Sequence, residues 1–183
     1  MKCLVSPVTL LLLLTTFLSV AQENPQRSQD GEFGKSISER TEDSKNHKTL
    51  LAALKAIDLE ETLDEDGPFT VFAPSDIAFQ KLSADKVASL LHPENKKELH
   101  SVITYHIVAG ELTASKILKA MCRGNGTATF TTVQGNKITA TLSGIDIILK
   151  DNFGNAAKIT TADSNQCNGI VHEIDSVILP KKI

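Results

Sequence analysis

The chain has 183 residues, 41% of them hydrophobic, with 19 basic against 22 acidic side chains and a formal net charge of −3. That length supports one domain with its own core, and the acidic balance speaks against nucleic acid, whose backbone demands clustered Lys and Arg. With no Trp and a single Tyr, the chain also lacks an aromatic platform on which bases or sugars would stack.

Lys2 precedes an apolar run from Val8 to Val20 that ends in Ser19-Val20-Ala21. Small residues at the third and first positions before a junction suit signal peptidase, so residues 1–21 read as a signal peptide cut between Ala21 and Gln22. The run is shorter than the roughly 20 apolar residues a membrane-spanning helix needs, and no transmembrane anchor is expected. An uncleaved signal would instead tether the chain. Cys3 lies ahead of the run, where a lipidated cysteine is not placed. Without Lys2 the balance is 18 basic against 22 acidic residues, net −4.

Residues 22–34 are polar and Gln-rich, with Phe33 the only large apolar side chain, and read as a flexible linker. The domain is expected over 35–180. Ile37 to Asp43 suggests a weak first helix, and Thr49 to Ile57 a firm second one, with Leu50, Leu54 and Ile57 on one face and Leu51 widening it. After Gly67-Pro68, the β-branched and aromatic Thr70, Val71 and Phe72 favour a strand that Pro74 stops. Ser75 then caps a short helix carrying Ile77, Phe79 and Leu82. Ser83 starts another helix through Leu91, and Pro93 ends it and opens Glu94 to Thr104, whose Leu99, Val102 and Ile103 form a buried stripe. Thr113 caps a last helix over Ala114 to Ala120.

From Ala128 the period becomes two. Phe130, Thr132 and Gln134 alternate with their neighbours, then Gly135-Asn136 precedes Ile138, Ala140 and Leu142, which reads as a β-hairpin. Ile145 to Leu149 continues as strand, Asn152 to Asn155 turns, Lys158 to Thr160 is a short strand and Gly169 to Leu179 closes the sheet. Helices before strands, with one early strand, indicate an α+β fold on antiparallel sheet, and no internal repeat is present.

Export leaves Cys122 and Cys167 where disulfides persist. Joining them would close a loop of about 45 residues, worth roughly 4 kcal/mol in the chain-entropy model. That bond is the expectation, with two separate thiols as the alternative.

Three segments carry a family resemblance: TVFAPSDIAF from Thr70, TYHIVAGELTASKI with Tyr105-His106, and NGIVHEIDSVILP from Asn168 to Pro180. In this order and at comparable spacing they closely resemble the signature motifs of the fasciclin-type domain, an extracellular adhesion module, and together cover most of Gly34 to Pro180. The resemblance implies a wedge of antiparallel strands with helices packed around it, and adhesion or matrix contact without catalysis. By motif position Asp76 and His106 match the family's acidic residue and histidine, and the two side chains are expected to meet inside the fold, each answering the other's hydrogen-bonding need. Animal members carry an Asp-Ile pair before the third motif that is implicated in integrin contact. Here Asp163 matches, but Ser164 replaces the apolar partner. The polar stretch Ser38 to Asp43, more apolar in relatives, implies a loosely held first helix.

A Ser75–His106–Asp76 hydrolase triad is the sharper reading of the same residues, but no GxSxG turn accompanies it and Ser75 serves as a helix cap. His172 shares a strand face with Ile170 and Ile174 and reads as a hydrogen-bonded core histidine. No HxH or HxxxH spacing supports a metal site with His106, and no cofactor is expected. Asn125-Gly126-Thr127 fits the glycosylation acceptor pattern and equally a tight turn. The expected function is a secreted adhesion module holding an extracellular protein or polysaccharide, with self-association open. The alternative is a secreted carrier with an apolar ligand between helices and sheet.

Overall fold

The structure, a computed structural model, describes residues 34–65 and 67–180. The expected signal peptide, and the linker apart from Gly34, lie outside the described residues. Among those described, seven α-helices and seven strands follow in the order α1 (Ile37–Asp43), α2 (Lys48–Ala56), α3 (Leu59–Glu65), β1 (Phe69–Pro74), α4 (Asp76–Gln80), α5 (Ala84–Leu91), α6 (Lys96–Tyr105), β2 (Ile107–Ala109), α7 (Ala114–Arg123), β3 (Thr127–Thr131), β4 (Lys137–Ser143), β5 (Asp146–Lys150), β6 (Ala156–Gln166) and β7 (Gly169–Ile174). The α+β class expected from the sequence is the one found.

The strands form one sheet in the order β2-β1-β7-β6-β5-β4-β3. It is mixed, not purely antiparallel, because β1 pairs in parallel with β7, Phe69 opposite Gly169 and Val71 opposite Val171. All other neighbours are antiparallel. A bridge between Val108 and Thr132 and a bond from Val133 N to Ile107 O (2.8 Å) draw the two edges together, so the sheet curls almost into a barrel.

Burial on both faces of β1 explains the architecture. Val71 and Ala73 point to one cluster, with Leu50, Leu54, Leu99, Val102 and Ile103 from α2 and α6. Phe72, at the opposite phase of the strand period, joins a second cluster inside the curl with Ile117 and Met121 of α7 and Ile138, Leu149 and Ile174 of the sheet. Gly169 lets β7 lie beside β1. A Cβ there, at φ 150°, would sit 1.9 Å from Phe69 O, so no other residue fits without moving the strand.

Several expectations change. The first helix is held firmly: a capping box joins Ser36 and Glu39, Ser38 Oγ donates to the Asp64 carboxylate (2.6 Å), and Ile37 is 1% exposed. Its Ser38 and Thr41 are buried anchors, while Glu39, Glu42 and Asp43 stay exposed. The helix α3 was not anticipated, although Leu59 and Leu63, four apart, provide its buried side. Ile77 is 68% exposed, because the five-residue α4 turns only Ala78 and Phe79 inward. The strand β6 runs eleven residues with two register shifts, while β7 stops at Ile174 instead of Leu179. Asp175 ends β7 by folding back on Lys158, its carboxylate accepting Lys158 N at 2.8 Å.

Candidate functional site

The three recognised motifs build a frame of side chains bonded to backbone. Ser75 accepts from Ala78 N and starts α4, while the Asp76 carboxylate reaches the other way, to the start of α2. Its Oδ1 accepts Thr49 N at 2.8 Å and Oδ2 accepts Lys48 N at 3.3 Å. His47, the residue before α2, makes no side-chain cap bond of its own. Asp76 therefore supplies the missing cap from 27 residues away. Burial pushes its pKa up, but these bonds and the nearby His47 outweigh that and hold the carboxyl below its usual range.

His106 does not meet Asp76, contrary to the expected pairing. It is 1% exposed, with Nδ1 2.7 Å from Val102 O, and its Nε2 accepts Ile178 N at 3.2 Å. Because Nε2 accepts, the hydrogen lies on Nδ1 and donates to Val102 O. Main-chain groups supply everything this imidazole needs, and burial pushes its pKa down to about 4. The neighbouring Tyr105 is fully buried and its hydroxyl donates to Lys137 O at 2.8 Å, tying α6 to β4. Burial, with the negative charge of Asp151 adding, pushes that phenol up to about 12. The triad reading loses its base, since both His106 nitrogens are committed.

His172 is the core histidine the strand phase implied. It stacks on Phe72 with ring centroids 5.6 Å apart. Its Nε2 lies 2.7 Å from Leu112 O, and its Nδ1 accepts Asp163 N at 3.2 Å. Burial lowers its pKa, against the bond to Leu112 and the charge of Asp163. Asp163, at φ 60°, turns its carboxylate to Ala114 N at 2.7 Å and supports the start of α7. The residue matching the integrin-linked aspartate is thus part of a staple between β6, β7 and α7.

Cys122 and Cys167 are both free and exposed, so the expected disulfide is not formed. Cys122 rides on α7, which packs on β3 and β4, whereas Cys167 sits at the β6–β7 turn, where its N–H donates to Lys35 O at 3.0 Å. Strand order separates these two places. Asn125 is exposed at φ 54° in the turn between α7 and β3. No group of His, Cys, Asp and Glu among the described residues is arranged to hold a metal ion, and no helix among them is long and apolar enough to cross a membrane.

A cleft of about 370 Å³ opens between the α1–α2 connection and the sheet, with Arg40, Lys45 and His47 above and Thr161, Ser164 and Glu173 below. His47 Nδ1 lies 2.7 Å from Ser44 Oγ, and its Nε2 lies 3.6 Å from Glu173 Oε2, too far for a hydrogen bond. Burial lowers the His47 pKa, against the charges of Glu173 and Asp76. Sequence reasoning missed this place, since His47 and Glu173 meet only through the fold. A second, apolar groove of about 610 Å³ runs along α4 and α5 past Phe79, Leu82, Val87 and Leu91.

Comparison with known proteins gives a consistent result. A sequence profile of the fasciclin domain matches residues 45–180. Protein sll1483 of Synechocystis sp. is 43% identical over 136 residues, a match covering 72% of this chain and 66% of that protein. Transforming growth factor-beta-induced protein ig-h3 of Sus scrofa is 33% identical over 131 residues, covering 72% of this chain and 17% of its own. This chain therefore spans less than two thirds of the length of either relative. The FAS1 domain pair from the insect cell adhesion molecule Fasciclin I has the same fold, with a TM-score of 0.68 at 18% identity over 78% of this chain and 50% of that one. With its three motifs joined in one frame and the profile running from the α1–α2 connection to the end of the described residues, the chain belongs to the fasciclin domain family.

Proposed function

We propose that the protein is a secreted single-module adhesion protein that holds an extracellular protein or polysaccharide through surface contacts and performs no catalysis. Secretion rests on the charged start, apolar run and small-residue junction of residues 1–21. Adhesion rests on family membership, which includes a structural relative described as a cell adhesion molecule. The observation that carries the non-catalytic half is the commitment of Asp76, His106 and His172 to main-chain partners. A hydrolase built on these motif residues would need one of them free to exchange a proton with substrate.

The carrier reading has less support. The opening between helices and sheet, where the carrier alternative places an apolar ligand, is walled largely by charged, amide and hydroxyl-bearing side chains, and the apolar groove lies among helices alone. A binding screen of the exported protein against matrix proteins, polysaccharides and cell surfaces tests the proposal. Retention by at least one, with no turnover of ester or peptide substrates, is the expected result. Turnover without retention overturns it.

A further inference from the structure

The cleft under the α1–α2 connection collects hydrogen-bonding groups that the fold itself does not use. Among the described residues Lys45 has no ion pair, and the side chains of Asn46 and Thr161 make no hydrogen bond. Ser164 accepts from Gln166 Nε2 at 3.0 Å and keeps its own hydroxyl hydrogen to offer. Glu173 Oε1 accepts the Thr160 hydroxyl at 3.1 Å, and Oε2 has only His47 beyond bonding distance. The two buried side-chain atoms without any partner among the described residues are His47 Nε2 and Gln166 Oε1. One belongs to the cleft wall and the other to the residue that bonds Ser164 of that wall.

The protonation pattern at His47 follows from its neighbours. Ser44 Oγ already accepts Asn46 N at 3.2 Å, and a bare Nε2 would face a carboxylate. The serine hydroxyl therefore donates to Nδ1, and Nε2 carries the hydrogen towards Glu173. The Ala73 carbonyl acts on the His47 ring but makes no hydrogen bond with it, so a donor and an acceptor stand side by side without a bond, with the Ala73 and Val171 side chains as an apolar strip in the same cleft. A group that accepts from one and donates to the other is a hydroxyl. Nε2 is itself buried, so such a bond requires the His47 ring to turn towards the cleft.

We propose that this cleft binds one saccharide unit of an extracellular polysaccharide, with a ring hydroxyl between His47 Nε2 and Glu173 Oε2, and with Thr161, Ser164 and Asn46 taking further hydroxyls. The volume of about 370 Å³ lies within the range of small-ligand sites. Recognition is by hydroxyl bonds, in keeping with the absence of Trp and the burial of Tyr105. Lys45 at the mouth, with the Asp43 carboxylate of the same lining paired to Lys35, favours a sugar that bears a carboxylate. The proposal rests on the adhesion reading and names the polysaccharide as its target.

Calorimetric titration of the exported protein with tetramers of galacturonic acid and of galactose tests it. Both should bind, the acidic one more tightly at low salt. The variant Glu173→Gln and the exposed Thr161→Val should each weaken both ligands about tenfold, and Lys45→Ala should weaken only the acidic one. Binding that is unchanged in Glu173→Gln and Thr161→Val, or a complex whose sugar lies elsewhere, overturns the site. A protein that retains a matrix protein but neither tetramer overturns this inference and leaves the adhesion reading standing, whereas one that retains nothing removes both.

Discussion

Replacing His106 with Gln should flatten the acid side of the stability curve. In the folded protein the ring is neutral, its Nε2 accepting Ile178 N, and burial holds its pKa at about 4 against 6.5 for a free histidine. A folded pKa below the unfolded one means that the unfolded chain takes the proton first as pH falls. The stability is therefore complete above about pH 6.5 and drains away down to about pH 4. Between about pH 7 and pH 5 the loss is about 2 kcal/mol, rising to about 3 kcal/mol once both states are protonated. With a urea slope of about 2 kcal/mol per M, the His106 contribution alone should lower the unfolding midpoint of the unmodified protein by about 1 M over that interval. Gln keeps an N–H for Val102 O but does not titrate. The variant should start lower at neutral pH, by about 1 to 3 kcal/mol for the poorer fit and the lost bond to Ile178 N, and then change less on acidification. His47 and His172 titrate in both proteins and cancel in the comparison. Equal acid shifts in the two proteins would refute the assignment of His106 as a buried, neutral acceptor.

Other substitutions probe the rest of the frame. Asp76→Ala removes both bonds to the start of α2 and should cost about 1 to 2 kcal/mol in chemical denaturation. Because the folded Asp76 pKa is depressed, its contribution is present above the ordinary carboxylate range and lost as pH falls through the lowered value, so the deficit should shrink in acid. Gly169→Ala places a Cβ 1.9 Å from Phe69 O and should lower the thermal midpoint by about 10 °C or prevent folding; a midpoint within a degree or two of the parent would contradict the close β1–β7 approach. Treating the native protein with iodoacetamide in the absence of reductant should modify both Cys122 and Cys167, as counted by mass spectrometry. Protection of both until a reductant is added would restore the disulfide.

What the sequence made legible was local. Ser75, Ser83 and Thr113 were recognisable as helix caps because each needs only a hydroxyl and an N–H three residues on. The Leu99, Val102 and Ile103 stripe was legible from helical spacing and the phase of His172 from strand spacing, and both are buried as expected. The parallel β1–β7 pair was not legible, since it joins segments about a hundred residues apart. Nor was Asn168, whose side chain accepts Ile37 N and donates to Leu63 O while its main-chain carbonyl accepts Phe69 N, so that one residue fastens α1, α3 and β1. The register shifts of β6 hid its length, because bulges break the alternation that marks a strand.

The failed pairing of Asp76 with His106 follows from the same distinction. A motif tells which side chain is polar and enclosed, but the partner is chosen by topology, and backbone groups at helix ends compete well for both carboxylate and imidazole. Asp76 lies where β1 ends, beside the uncapped start of α2, and His106 lies where α6 ends, beneath Ile178. Substituting His106 should therefore change stability and leave ligand affinity of the folded fraction unaltered, whereas Asp76 also bears on Asn46 and His47 of the cleft. The groups proposed to change affinity come from residues 45–47 and 161–173; the pairings of Ala73 with Glu173 and of Glu173 with Thr161 set the floor of the cleft, and the α1–α2 connection covers it. No spacing within either segment marks them: Ala73, Val171 and Glu173 lie inside two of the motifs, yet the motif side chains singled out from sequence, Asp76, His106 and His172, do not line the cleft.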